Sequence, residues 1–260
     1  MPRARVSIER TVITQGEPIV GRVEDERVYV VFSVWFASIL LTRGQEIPSA
    51  RKLYSDSFWL EPGRFEIRYP PNLPPTISTR AHKVRWALTF GVPRFGGRVL
   101  FPRSTVRIKV FPRLPEELSE DQGWIVLDKT RYHPGDEILG KLRVGDVRPE
   151  DVTVEMSVRE WLEIDSDRRE YTWTLAAGDS GILGGEPGIR LELPSDPTVP
   201  KDLFFFYPYT FSAEFAGMRF GTETFLVVMT PEDVKELKLP ISPRPPRFEK
   251  TRRKPGPPLW

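Results

Sequence analysis

The residues able to do chemistry are few, and their spacing argues against a reaction centre. Gly178-Asp179-Ser180-Gly181 has the form of a serine nucleophile motif. Such a serine needs a histidine within hydrogen-bond reach to take its proton, and an acid to orient that ring. Only two histidines exist, His82 ahead of a strand pattern in the other half of the chain and His133 in a Pro-Gly turn. A flexible glycine-rich loop over 178–188 is the simpler reading. Gly184-Gly185-Glu186-Pro187-Gly188 lacks the lysine and following helix of a phosphate loop. Asp165-Ser166-Asp167 reads as an acidic turn, short of the oxygen ligands a calcium loop supplies. Cysteine is absent, which removes disulfides, thiolate nucleophiles and cysteine-based metal sites together. No catalytic, cofactor-binding or metal-binding residue is therefore assigned, and the expectation is a protein that is not an enzyme.

Composition narrows the class further. With 39% apolar and 28% charged residues the 260-residue chain resembles a globular protein, and no apolar run is long enough to span a bilayer. The N-terminus runs directly into a strand pattern without the apolar centre of a signal peptide, which gives a cytoplasmic reading. Asparagine occurs only at Asn72, and glutamine only at Gln15, Gln45 and Gln122. That depletion fits a thermophilic source such as an archaeon, or a bias in genomic base composition. The formal net charge of +2 conceals an asymmetry, because Leu239 to Trp260 holds six cations and one anion. The body is thus mildly acidic and its end basic, which speaks against nucleic-acid binding by the folded part.

These residues must be positioned by strands. Val12-Ile13-Thr14-Gln15-Gly16-Glu17-Pro18-Ile19-Val20-Gly21 reads as strand, turn and strand, and Arg131-Tyr132-His133-Pro134-Gly135-Asp136-Glu137-Ile138-Leu139-Gly140 repeats it. Gly16 to Gly135 and Gly21 to Gly140 are both 119 residues apart. Pro112 and Pro231, closing two later strand patterns, share that offset, so the chain reads as a duplicated β domain. In the first copy Val28 to Leu41 is apolar on both faces, which predicts a strand covered on each side, by a loop, the other domain or a partner. Arg43 to Asp56 reads as polar loop, and the prolines of Pro70 to Ser78 as an extended crossing loop. Val84 to Phe90 and Val106 to Val110 alternate as half-buried strands. The predicted organisation is a sandwich over 1–112, a linker over 113–122, a second sandwich over 123–231, and a short helix with a proline-rich basic tail over 232–260.

Tyr132 to Gly140, Gly63 to Pro75 and Val84 to Val92 together resemble the arrestin-like superfamily of arrestins, α-arrestins, the arrestin-fold retromer subunit and sporulation-control proteins. The resemblance spans residues 5–231. It implies an all-β fold of two tandem arrestin-like (immunoglobulin-like) β-sandwiches with a short C-terminal helix or tail. It also implies an adaptor or scaffold that binds proteins at sandwich edges or concave faces, in membrane trafficking or signalling. Arg3, Arg5 and Arg10 resemble the family's basic first strand, or equally a charged edge that discourages pairing. The basic end departs from the acidic segment that folds back in receptor-sensing arrestins, and no Pro-Pro-x-Tyr motif is present.

The predicted docking residues lie in that end: Pro240, Pro243, Arg244, Pro245, Pro246, Arg247, Phe248 and Trp260. Arginine-studded proline segments favour an extended conformation that docks into aromatic grooves at low entropic cost. Leu239 to Pro246 also looks like the proline-rich motifs by which ESCRT-III proteins bind their disassembly ATPase. The expected partners are proteins. The alternative is a peripheral membrane protein that lays the basic tail on anionic lipid.

Overall fold

The computed structural model describes residues 5–42, 49–94, 98–113, 117–143, 145, 147–195, 208–215 and 217–243. They form seventeen strands and two 3-10 turns. One three-stranded sheet carries β1 (Val6–Ile8), β3 (Ile19–Val23) and β6 (Gly63–Ile67) in the order β1-β3-β6. A larger sheet packs over it in the order β2 (Val12–Thr14), β9 (Arg98–Phe111), β8 (His82–Arg94), β4 (Val28–Ser38) and β5 (Ser49–Leu60), with β7 (Ile77–Ser78) beside β8. Alternation along β4 sends Val30, Phe32, Val34 and Phe36 into the space between the two, where all four are almost wholly buried.

The second half repeats this scheme around a strand that serves two sheets. β13 (Asp167–Leu183) pairs with β12 (Thr153–Ile164) along its first part and with β14 (Glu186–Glu192) along its last. Beyond β14 lie β11 (Glu137–Leu142) and β10 (Ile125–Leu127), and beyond β12 lies β16 (Met218–Met229), flanked by β15 (Phe211–Phe215) and β17 (Val234–Lys238). Residues 178–188 are therefore strand and hairpin, not a flexible loop. Gly178 lies against the facing strand, where a Cβ would come 2.6 Å from the Arg190 carbonyl, and Gly184 and Gly185 make the turn with positive φ.

The duplicated motif has a physical basis in both copies. Gly16 and Gly135 take φ of +97° and +77°, which the turn requires and other residues resist. The acid after each glycine accepts a bond from the strand it leaves, Thr14 N–H to Glu17 Oε2 at 2.8 Å and His133 N–H to Asp136 Oδ2 at 3.0 Å. The glycines ending the copies are packing positions. A Cβ on Gly21 would lie 2.4 Å from Phe65 Cζ, and one on Gly140 would lie 2.6 Å from Ile125 Cδ1.

Three expectations need correction. Ser49 to Asp56 belongs to β5, not to a loop. An edge strand buries little on either side, so Arg51, Lys52, Ser55 and Asp56 give it a polar sequence while it pairs with β4 from Val28↔Leu60 to Ser38↔Ser49. Glu232 to Lys238 does not form a helix, since Val234–Lys238 pairs with β16. Nor does the second sandwich stop at residue 231. Ile13 faces Val110 in a parallel pair, and Tyr132, the counterpart of Ile13, faces Ile241 in the same way. The mate of β9 is thus the segment through Ile241, and β16 corresponds to β8, so the offset shared by Pro112 and Pro231 was coincidence. Leu239 and Ile241 are fully buried in the second core. Fewer than ten residues of the 113–122 linker run free, because Leu118 N–H bonds to the Thr130 carbonyl and Asp121 bridges to Val126.

Candidate binding surfaces at the seam and beside it

The two sandwiches meet through direct packing of their side chains. Phe36 of β4 stacks on Phe220 of β16 with centroids 4.2 Å apart, and Leu162, Phe211 and Met218 join the first core from the second sandwich. At roughly 1.5–3 kcal/mol for each large side chain removed from water, this contact makes independent motion of the halves costly.

A polar cluster sits inside that seam. Glu160 projects from β12 with no solvent exposure and accepts from four groups. These are Thr79 Oγ1, the backbone N–H groups of Ala81 and His82 at 3.1 Å each, and Trp173 Nε1 at 2.8 Å. Arg80 lies over the Trp173 ring at 4.5 Å, so first-sandwich residues hold both ends of the arrangement. His82 is equally buried, with Nδ1 2.9 Å from Ser38 Oγ and Nε2 3.1 Å from the Trp161 carbonyl. The carbonyl can only accept, so Nε2 carries the proton and Nδ1 accepts a hydrogen bond from the Ser38 hydroxyl. Burial lowers the His82 pKa from 6.5 to about 4, against the opposing pull of the Trp161 carbonyl. Burial raises that of Glu160, while the four donors draw it back.

These contacts occupy the chemically capable groups. Ser180 Oγ lies 2.6 and 3.0 Å from the carbonyls of Pro149 and Val152, and His133 Nδ1 lies 2.9 Å from the Ser242 carbonyl. Among the described residues no group of three or more His, Cys, Asp or Glu side chains is placed to hold a metal ion.

Where the seam opens, two adjoining recesses of about 470 and 300 Å³ share Gln15, Arg113 and Ser212. Gln15 is fixed by its side-chain N–H bond to the Leu73 carbonyl at 2.7 Å, and Arg113 leans on the Gln15 carbonyl at 3.4 Å. The far wall is β15. Its inner edge pairs with β16, and its outer edge pairs with no strand among the described residues. Ser212 and Glu214 of this strand are exposed. An open edge of this kind accepts another extended chain.

A second surface is the outward side of β4, which was expected to be covered on both faces. No other strand among the described residues lies over it. Tyr29 tucks against Trp59 at 5.4 Å, Val31, Ser33 and Ala37 are half-buried, and Trp35 and Trp59 keep 42% and 44% of their surface exposed.

Of the predicted docking residues, Pro240 and Pro243 are not in a free tail. Pro240 is half-buried and Pro243 buried, on either side of the Tyr132–Ile241 bridge. Arg244, Pro245, Pro246, Arg247, Phe248 and Trp260 lie outside the described residues. The seam cluster escaped sequence reasoning because Glu160 and His82 are 78 positions apart and carry no local motif. The β15 edge escaped it because five residues of mixed character look like any short strand.

Two sandwiches with this strand order, joined through a buried seam, define an arrestin-like fold. The chain resembles the crystal structure of squid arrestin with a TM-score of 0.54 over 93% of this chain and 94% of that one, at 12% sequence identity. No family model and no curated protein sequence matches it. No helix among the described residues is long and apolar enough to cross a membrane.

Proposed function

We propose that this chain is a non-catalytic cytoplasmic adaptor that holds protein partners, joining cargo to trafficking or signalling machinery. The observation that carries the reading is the open outer edge of β15 at the mouth of the interdomain recesses. An extended segment laid along that edge gains main-chain hydrogen bonds, and Gln15 and Arg113 stand opposite to receive its side chains. The proline-rich segment from Arg244 to Trp260 is a second docking element in this reading. Its six cations against one anion over Leu239 to Trp260 also favour a second reading, a peripheral membrane protein held on anionic lipid.

The absence of cysteine gives a clean test. Ser212→Cys, blocked with a bulky maleimide, is compared with unblocked protein and with a similarly blocked Thr172→Cys in affinity purification from the native cell. The adaptor reading expects a partner set that disappears only when residue 212 is blocked. Identical partners in all three samples would remove β15 from the account. Binding to phosphatidylserine vesicles that vanishes on deleting residues 244–260 would favour the membrane reading.

A further inference from the structure

The two recesses beside β15 join at one cation. Gln15, Arg113 and Ser212 line both of them, so the Arg113 guanidinium stands where they meet. Its place is set against the first glycine turn, since Gly16 takes φ of +97° and a Cβ there would come 3.0 Å from Arg113 Nη2. Arg113 Nε donates to the Gln15 carbonyl at 3.4 Å. Neither of its terminal nitrogens has a hydrogen-bond or ion-pair partner among the described residues.

The acids around this groove are already matched. Glu17, on the same turn, accepts from Thr14 N–H at 2.8 Å and lies 3.8 Å from Arg10. Glu214 lines one recess and lies 3.9 Å from Arg219, while Glu223 lines the other and lies 2.6 Å from Lys238. Of the charged groups lining the two recesses, Arg113 is thus the one without a counter-charge among the described residues. The strand beside it is five residues long, an edge of about 17 Å that gives room for a partner segment of similar length.

We infer that the extended partner segment received at β15 carries one acidic side chain, and that Arg113 binds its carboxylate. A guanidinium with two open nitrogens takes a carboxylate in a two-point contact, which fixes the register of the segment along the edge. The groove selects a single carboxylate. Glu214 in one recess and Glu223 in the other set like charge on either side of Arg113, against a second acid or the doubled charge of a phosphate. The chain's own end is disfavoured, because residues 244–260 carry six cations and one anion. A second copy pairing edge to edge is disfavoured, because the one acid on β15, Glu214, already faces Arg219. A bilayer is disfavoured because it presents a broad face and the groove recedes between the sandwiches.

The inference rests on the adaptor reading, since it names the chemistry of what β15 receives, and the test separates the two. Random linear peptides displayed in a library are selected on the full-length protein, and the enriched ones are made synthetically. They are expected to share one aspartate or glutamate and to slow hydrogen exchange at the outward amides of β15. Arg113→Gln, with the parent's melting midpoint, should bind them at least tenfold more weakly. Arg113→Glu should recover binding of the same peptides once their acid is changed to lysine. Binding that is lost on blocking residue 212 but indifferent to both Arg113 variants would overturn the inference and leave the β15 edge standing. No enrichment, enriched peptides without a shared acid, or binding that appears only after deletion of residues 244–260 would also overturn it. So would cosedimentation of the parent, but not of Arg113→Glu, with phosphatidylserine vesicles.

Discussion

Glu160 and His82 hold opposite positions in one buried cluster, and pH separates them. His82 has a pKa of about 4 in the folded chain and 6.5 when exposed, so the unfolded chain takes up a proton between those values and the folded one does not. Its contribution is therefore intact above about pH 6.5 and is lost as pH falls towards 4, a change of about 3 kcal/mol if it acted alone. Glu160 has the opposite sign. Its raised pKa gives stability at low pH that declines as pH rises towards the folded value. Thermal melting across this range should show a less steep acid-side fall in His82→Gln than in the parent, even though the variant starts lower. A slope as steep as the parent's would mean that His82 is not the neutral buried group described. Glu160→Ala strands four donors in a buried seam and should cost on the order of 3 kcal/mol or more by chemical denaturation. The paired glycines give a prediction of a different kind. Gly21→Ala and Gly140→Ala force contacts near 2.4 and 2.6 Å and should each destabilise by about 1–3 kcal/mol through overpacking, without altering the turns that precede them.

At the scale of elements, the segment through Ile241 belongs to the folded body. Leu237, Leu239 and Ile241 alternate towards the second core, and Ser242 N–H closes onto the Tyr132 carbonyl at 3.0 Å. A chain ending at Thr230 should therefore lose cooperative folding of its second half. A chain ending at Pro243 should melt as the full chain does, both read by circular dichroism and hydrogen exchange. Equal melting of the two truncations would return residues 232–243 to the tail. The two-residue spacing of Leu237, Leu239 and Ile241 was visible in the sequence. It lost to the acids after Pro231 because a helix start and an exposed edge strand use the same charged residues. β5 was missed for a related reason, since an edge strand needs few apolar positions. What could be read was whatever physics made local: the glycine-acid turns, the alternation of β4, β8 and β9, and the apolar residues on both faces of β4. The seam could not be read, because Glu160, His82 and Trp173 come together only after both sandwiches have formed.

For the whole molecule, the duplication did not yield two equal halves. The second sandwich neutralises its large outer face with cross-strand ion pairs and takes in its own C-terminal strand. The first keeps Trp35 and Trp59 exposed on its outer face and helps frame the recess beside β15. The seam between them buries Phe36 on Phe220 and ties Glu160 to four groups, so the edge of β15 keeps a fixed place beside the first sandwich. The most direct measurement is site-specific photocrosslinking in the native cell, with the probe at residue 212 on β15 and, as reference, at residue 172 on the self-paired face. The adaptor account predicts discrete protein adducts from position 212 that are missing from position 172. Adducts of equal yield at both positions, or none at 212, would contradict it.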